Sequence, residues 1–247
     1  FQAEDGIRDF CLSRGLGDVY KRQIMKCMIL AAGYGKRMMP LTKETPKPLL
    51  KIGNETLLDR NIKHVLSNGF DEIIINVSHH GDKIKEHLIK NYKDHKITLV
   101  EEPHPYGTGG ALVNAKDYLG DETILIINAD IFHDFDLSKL NKETECIHLV
   151  GIENPDHNKE GDFNIGPDGK VFCDDINKLT WSGISLLNTD VLSKIDKNNF
   201  PFDSWSNIVM PQIKQGKVTG EIYSDIWLDV GTKDRLELAN KILRKEN

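Results

Sequence analysis

The residues best suited to chemistry near the start of the chain are glycines followed by cations. An apolar run at residues 28–32 ends in a Gly-Tyr-Gly loop, and Lys36 and Arg37 come directly after it. Glycines let a backbone turn tightly and bring its N–H groups close to an anion. The cations supply charge for several phosphate oxygens. We interpret the stretch as a triphosphate-binding loop after a first strand; the alternative is a tight turn with solvated basic residues.

A third cation, Lys47, lies between two prolines. Proline fixes its own φ and restricts the residue before it, so this lysine is presented from a stiff segment. Two other kinds of glycine loop are excluded. A Walker A loop needs Gly at 30 and Ser or Thr at 37, and a dinucleotide-binding loop needs Gly at 38. Those positions hold Leu30, Arg37 and Met38.

Two carboxylates complete the candidate chemistry. Asp130 follows the apolar run 123–128, at the expected tip of a buried strand. Mg²⁺ prefers one or two carboxylates together with phosphate oxygens and water, which suits this place. Asp229 lies between two apolar residues, and a metal ion would relieve the cost of burying its charge. The alternative for Asp229 is a buried carboxylate bonded to backbone N–H groups near Gly231.

The elements that must position these residues alternate between strands and helices. We predict strands at 28–32, 72–77, 97–100 and 123–128 and helices at 56–68, 82–91 and 111–118. Further strands are predicted at 146–152, 164–165, 171–172, 179–187, 217–223 and 226–232, with helices at 204–215 and 233–243. The alternation predicts parallel pairing with right-handed crossovers. Ligands of such sheets bind at the carboxyl ends of the strands, where the glycine loop falls.

Composition excludes several classes of protein. The net charge of −6 lacks the basic footprint of a nucleic-acid-binding protein, and no apolar run approaches the ~20 residues of a membrane span. The cysteines are scattered without CxxC spacing, which argues against a zinc site or a disulfide scaffold and fits a reducing, cytoplasmic compartment. They are Cys11, Cys27, Cys146 and Cys173.

The first 24 residues show no sustained apolar period and lack the apolar region of a signal peptide. They also resemble translated sequencing-adapter sequence. We expect a non-native or disordered leader at 1–24, a native start at Met25, and a single domain at 25–247.

Residues 30–42 and 45–49, LAAGYGKRMMPLT and TPKPL, resemble the signature of the sugar-1-phosphate nucleotidyltransferases. The resemblance implies transfer of a nucleotidyl group from a nucleoside triphosphate to a sugar 1-phosphate, with Mg²⁺ as cofactor. It also implies an α/β, Rossmann-like three-layer nucleotide-diphospho-sugar transferase fold, with a mostly parallel central sheet and helices on both faces.

The downstream motifs GDF at 161–163, LTWSGIS at 179–185 and WLDVGT at 227–232 narrow the resemblance. They are similar to uridylyltransferases of this family that act on N-acetylmuramate α-1-phosphate in peptidoglycan recycling. This implies UTP as donor, a cytoplasmic protein without nucleic-acid or membrane partners, and a monomer or small homo-oligomer. Other pairs stay open, namely glucose 1-phosphate with UTP or dTTP and mannose 1-phosphate with GTP.

The candidate site residues follow from the residues and the resemblance together. The nucleotide-binding candidates are Ala32, Gly33, Gly35, Lys36, Arg37, Lys47, Asn76, Gly107 and Thr108. The sugar-binding candidates are Asn128, Asp162, Ser182 and Gly183. The catalytic candidates are Arg37, Lys47 and Asp130, and the metal ligands are Asp130 and Asp229. The alternative for Asn76 is a strand-end amide bonded to nearby backbone, and for 107–110 it is a plain helix N-terminus.

Overall fold

The computed structural model describes residues 26–140, 143–196 and 200–246. The strands are β1 Lys26–Leu30, β2 Lys51–Ile52, β3 Glu55–Thr56, β4 Glu72–Val77, β5 Lys96–Glu101, β6 Thr123–Asn128, β7 Ile131–His133, β8 Ile147–Glu153, β9 Asn164–Ile165, β10 Val171–Phe172, β11 Leu179–Asn188, β12 Val218–Ile222 and β13 Trp227–Asp229. The α-helices are α1 Leu57–Ser67, α2 Gly81–Asn91, α3 Gly107–Asn114, α4 Lys116–Leu119, α5 Met210–Ile213 and α6 Lys233–Glu246. A π-helical turn at Trp205–Val209 precedes α5, and 3-10 turns lie at Lys36–Met38, Leu41–Lys43, Lys47–Leu49, Leu137–Leu140 and Thr189–Lys194.

The central sheet has seven strands in the order β12-β8-β11-β6-β1-β4-β5. Strands β5, β4, β1 and β6 run parallel, as does β12 beside β8, and only β11 runs antiparallel to its neighbours. The predicted mostly parallel α/β sheet is therefore confirmed. The direction of β11 was not predicted, because an apolar run does not encode the direction in which a strand enters a sheet.

Helices cover both faces of this sheet because its strands are apolar on both sides. In β1, Cys27 and Ile29 pack in the cluster that holds the apolar faces of α1 and α2. Met28 points the other way, into the cluster that contains α3, α4 and α5 residues. The result is the predicted three-layer arrangement. A third cluster, which includes Met38 and Val230, joins α6 to the segment after β1.

The parallel strands bring their polar carboxyl ends to one edge. Leu30 at the end of β1 is in register with Asn76 of β4 on one side and Asn128 of β6 on the other. Helix α1 then returns along the sheet, and it begins at a capping box in which Thr56 and Asp59 bond to each other's backbone N–H groups. The glycine loop therefore lies between two strand ends that carry amides.

Some predicted bounds are wrong in ways that matter for this edge. Helix α3 begins at Gly107 rather than at 111, so the glycines lie inside its first turn. The predicted helix at 204–215 is split into the π-helical turn and α5. The short ribbon of β7 paired antiparallel with β13 was not predicted as a pair, because three residues show no readable period.

The expected leader at 1–24 lies outside the described residues. Among the residues that are described, no helix has the length and apolar character needed to cross a membrane.

Candidate active site

The loop after β1 is held in shape by Gly35. Its φ is +62°, and a Cβ there would lie 2.9 Å from Thr42 Cγ2 and 3.2 Å from Lys47 Cβ. Thr42 Oγ1 also donates a hydrogen bond to the Gly35 carbonyl at 2.9 Å. The tight turn therefore docks the loop directly against the segment that carries Lys47. Gly33 faces open space, so its backbone is accessible.

Lys47 is buried, with 9% of its surface exposed, and its Nζ pairs with Asp130 Oδ2. The carboxylate is more accessible than the ammonium, at 33% against 10% of the side chain. A buried ammonium needs a charge partner. The pair therefore fixes the lysine next to a carboxylate that can still reach a ligand.

Two adjoining cavities meet at this ion pair, because Gly33, Lys47 and Asp130 line both of them. The first cavity continues to Asn76, Glu102, Gly107, Thr108 and Asn128. The second continues to Gly35, Lys36, Arg37 and Gly231. A ligand that filled both would have one end among backbone and amide groups and the other end among cations.

The ribbon of β7 and β13 brings Asp229 beside Asp130. Val230 N donates to the Asp130 carbonyl at 2.8 Å, and Asp229 lies opposite Ile131 in the ribbon. Asp229 Oδ1 is buried and has no hydrogen-bond partner within the described part of the chain. A Cβ at Gly231 would lie 2.9 Å from this oxygen and 2.9 Å from Arg37 Nη2. A side chain at position 231 would therefore separate Asp229 from Arg37.

Known proteins that are similar to this chain show its family. The sequence profile described as Nucleotidyl transferase matches residues 26–152. N-acetylmuramate alpha-1-phosphate uridylyltransferase from Neisseria meningitidis is 32% identical over 229 residues, which cover 88% of this chain and 98% of that protein. The chain belongs to the sugar-1-phosphate nucleotidyltransferase family.

Other relatives of this nucleotidyltransferase have different substrates in their names. D-glycero-alpha-D-manno-heptose 1-phosphate guanylyltransferase from Campylobacter jejuni is 28% identical and covers 85% of this chain and 96% of its own. The crystal structure of HddC from Yersinia pseudotuberculosis complexed with GMP-PN has a TM-score of 0.75 at 23% identity, covering 89% of this chain and 99% of that one. A putative glucose-1-phosphate thymidylyltransferase from Bacillus anthracis has a TM-score of 0.77 at 24% identity, covering 90% and 96%.

The two carboxylates of this nucleotidyltransferase suit a hard divalent cation whose other ligands are water and substrate oxygens. Among the residues described here, no three His, Cys, Asp or Glu side chains group in the manner of a complete metal site. Two carboxylates flank one pair of strands instead, because Asp130 immediately precedes β7 and Asp229 ends β13. Asp229 Oδ1 is buried without a partner in the described chain. Mg²⁺ takes one or two carboxylates and completes its shell with water and substrate phosphates. Asp130 and Asp229 therefore suit such an ion.

The first cavity has a scaffold that sequence reasoning only partly found. Asn76 Oδ1 accepts from Ala31 N at 2.9 Å, and its Nδ2 donates to Glu102 Oε1 at 2.8 Å. Glu102 Oε2 in turn accepts from Tyr106 N at 2.8 Å, and burial raises the pKa of this carboxyl. The Asn76 amide is thus bonded to backbone, as its alternative interpretation stated, and it also holds Glu102. The sequence offered one indication that Glu102 belongs to the site, namely its position directly after the carboxyl end of β5.

The turn at 107–110 is shaped by the segment that follows residue 199. Gly109 N donates to the Phe202 carbonyl at 3.1 Å, and Thr108 Oγ1 accepts from Ser204 N at 2.9 Å. Gly107 and Thr108 line the cavity, whereas Gly109 and Gly110 pack against Phe202 and Phe200. The segment is a helix N-terminus, as its alternative interpretation stated, and its first two residues border the cavity. Its contact with a nucleotide stays a prediction.

The sugar-binding candidates are only partly brought together. Asn128 lines the first cavity, and its side-chain amide lies against Gly183, where a Cβ would come within 2.6 Å of Asn128 Nδ2. The Ser182 hydroxyl is buried and donates to the Val150 carbonyl at 2.7 Å. Asp162 Oδ2 accepts from Trp181 N at 2.8 Å. The polar side-chain groups of Ser182 and Asp162 therefore organise neighbouring strands and line neither cavity.

Proposed function

We propose that this nucleotidyltransferase transfers UMP from UTP to N-acetylmuramate α-1-phosphate, which gives UDP-N-acetylmuramate and pyrophosphate for peptidoglycan recycling. The observation that carries the proposed reaction is the meeting of Lys47 and Asp130 where two cavities join, with Arg37 in the lining of the second cavity and Asp229 beside its lining residue Gly231. The choice of substrates is supported by the Neisseria relative, which covers nearly the whole chain.

In this proposal each of the two cavities binds one part of the nucleotide. The base and ribose occupy the cavity bordered by Asn76 and Gly107, and the phosphates follow the backbone of residues 33–37. Lys47 lies where the cavities join, so its ammonium reaches both the α-phosphate and the incoming sugar phosphate. Arg37 stabilises the charge that builds up on the departing pyrophosphate.

The attacking oxygen belongs to a sugar phosphate, which is already anionic at neutral pH. Lys47 and Arg37 therefore need only to orient the two phosphates and neutralise charge, and no side chain has to act as a general base. Asp130 and Asp229 would hold Mg²⁺, which supplies further charge neutralisation at the phosphate oxygens when bound. The Lys47–Asp130 ion pair keeps both groups at the reaction centre before the substrates arrive.

Pyrophosphate release tests the proposal directly. UTP, dTTP and GTP are each supplied with N-acetylmuramate, glucose, mannose and heptose 1-phosphates. We expect the largest kcat/KM for UTP with N-acetylmuramate 1-phosphate. A preference for GTP with a heptose or mannose 1-phosphate would overturn the substrate assignment but not the chemistry. Release of a nucleoside diphosphate in place of pyrophosphate would overturn the chemistry.

A further inference from the structure

Helix α6 places Arg235 against Asp229. Arg235 Nη1 donates to Asp229 Oδ2 at 2.8 Å, and the two side chains are only 15% and 20% exposed. The helix begins after Thr232, whose carbonyl accepts from Leu236 N at 3.0 Å. Because Arg235 lies in the first turn of this helix, its guanidinium is fixed close to the end of β13.

His157 also contacts the guanidinium, and its ring lies nearly parallel to the Trp227 ring. Arg235 Nη1 lies 3.2 and 3.1 Å from the two ring nitrogens of His157. The imidazole lies nearly parallel to the indole of Trp227, at 15° and with 6.5 Å between ring centres. Among the residues that the structure describes, Asp229 is the one carboxylate within ion-pair distance of Arg235.

The two carboxylate oxygens of Asp229 have different surroundings. Oδ2 accepts a hydrogen bond from Arg235, whereas Oδ1 is buried without a protein partner in the described chain. A Cβ at Gly231 would lie within 3 Å of Oδ1 and of one guanidinium nitrogen each of Arg37 and Arg235, so a side chain there would crowd this oxygen. A charged partner on one oxygen fixes the carboxylate plane and offsets part of its burial cost, as partners of metal ligands commonly do.

We propose that Arg235 is a positioning residue that orients Asp229 so that Oδ1 is presented to a divalent cation. This inference rests on the proposed function, in which Asp229 binds that cation. It also accounts for a carboxylate oxygen that is buried without a partner although a guanidinium lies next to it. The competing role is direct binding of the triphosphate, because Arg235 Nη2 and Arg37 Nη2 both lie within 3 Å of the place of a Gly231 Cβ.

The first test measures Mn²⁺ affinity by electron paramagnetic resonance with a non-hydrolysable UTP analogue bound. We expect Arg235→Met to weaken Mn²⁺ binding about 10- to 100-fold, the range typical for partners of metal ligands. Arg235→Lys should recover part of this loss, because it restores a cation beside Oδ2. Arg244→Met, at an exposed position of the same helix, is the matched control and should leave the affinity unchanged. Far-ultraviolet circular dichroism checks folding, and Arg235→Gln replaces Arg235→Met if that variant does not fold.

A double-mutant cycle separates the two roles. If Arg235 acts through Asp229, Asp229→Asn alone and Asp229→Asn with Arg235→Met should weaken Mn²⁺ binding equally. Loss of nucleotide affinity in EDTA on Arg235→Met would identify a direct phosphate contact and overturn the proposal. Unchanged Mn²⁺ binding in Arg235→Met would also overturn it, and would leave the proposed function intact. Unchanged Mn²⁺ binding in Asp229→Asn would remove the metal role of Asp229, and this inference with it.

Discussion

The two cavities that meet at Lys47 differ in whether the polar groups around them have hydrogen-bond partners within the protein. Beside the second cavity, which we propose for the phosphates and call the phosphate side, Asp229 Oδ1 is buried without a partner in the described chain. In the first cavity, which we propose for the base and call the base side, Asn76, Glu102 and Thr108 are bonded to backbone or to one another. The phosphate side therefore has a polar group without a protein partner, whereas these polar groups of the base side already have partners within the protein.

This difference predicts two kinds of mutational effect. Groups that interact with the reacting phosphates or their cation should act on kcat, because these interactions strengthen in the transition state. Groups that hold the shape of the base side should act on KM and on stability. A change in Lys47 or Asp130 that altered only KM would break the comparison.

The largest effect is expected for Asp130→Asn. The change removes a negative charge from the junction of the cavities and leaves the buried Lys47 ammonium without its ion-pair partner. We expect kcat to fall by about 10²–10³, the range seen when one preorganised electrostatic group is removed. Steady-state pyrophosphate release at saturating substrates measures it. Asp136→Asn, an exposed helix-cap change, is the control, and an Asp130→Asn enzyme of wild-type kcat would contradict our interpretation.

A smaller effect is expected for Gly35→Ala. The left-handed backbone costs an L-residue about 1–2 kcal/mol, and the new Cβ would lie 2.9 Å from Thr42 Cγ2. The loop should shift away from the phosphates and raise the KM for the nucleotide about tenfold, which corresponds to about 1.4 kcal/mol.

Gly169→Ala separates the backbone cost from the effect on the loop. Gly169 also has a positive φ, +76°, but its Cβ position is open and it lies in the turn between β9 and β10. It should lower the thermal midpoint without changing KM. An equal rise in KM for both variants would show that strain alone, and not the loop position, is responsible.

On the base side, Glu102→Gln tests whether the hydrogen bonds of Glu102 hold the shape of the cavity. Both carboxylate oxygens accept hydrogen bonds, from Asn76 Nδ2 and Tyr106 N, and a glutamine offers one acceptor in their place. A buried donor left unpaired costs about 1–3 kcal/mol, so we expect the KM for the nucleotide to rise about tenfold while kcat stays within about twofold. Glu101→Gln changes the exposed neighbour and should change neither constant. A fall in kcat of about 100-fold would place Glu102 among the reacting groups instead.

The sequence predicted the fold better than it predicted the shape of the site. Strand periods and the Thr56 cap predicted the parallel sheet, which is confirmed. Carboxyl ends of parallel strands share one edge, so the placing of Lys47 and Asp130 in common cavities could be expected, although their roles stay predictions. Local patterns do not encode which side chains pair across the chain. For that reason Glu102 and Arg235, whose partners are fixed by tertiary packing, were not found.

Not every buried polar group without a partner serves a ligand, and His133 is the test case. It lies three residues after Asp130 in β7, and neither of its ring nitrogens has a hydrogen-bond partner in the described chain. The ring packs edge-on against His64, and the guanidinium of Arg60 lies nearby. Burial, then His64 and Arg60, lower the pKa of His133 to about 3. His133 lines neither of the two cavities, so we assign it to packing.

The sign of its pH effect follows from that pKa. Above pH 6.5 the ring is neutral in both folded and unfolded chains, so it adds no slope. Below this pH His133 binds a proton in the unfolded chain but stays neutral in the folded chain. The free energy of unfolding should therefore fall by about 1.4 kcal/mol for each pH unit. The loss ends near pH 3, where folded His133 also protonates. Urea unfolding at several pH values should show His133→Phe without this part of the slope, with kcat at pH 7 unchanged. If His133→Phe instead lowered kcat as strongly as Asp130→Asn, a buried group that lines neither cavity would affect the reaction as much as a group inside them. The absence of a protein partner would then no longer distinguish the phosphate side from the base side.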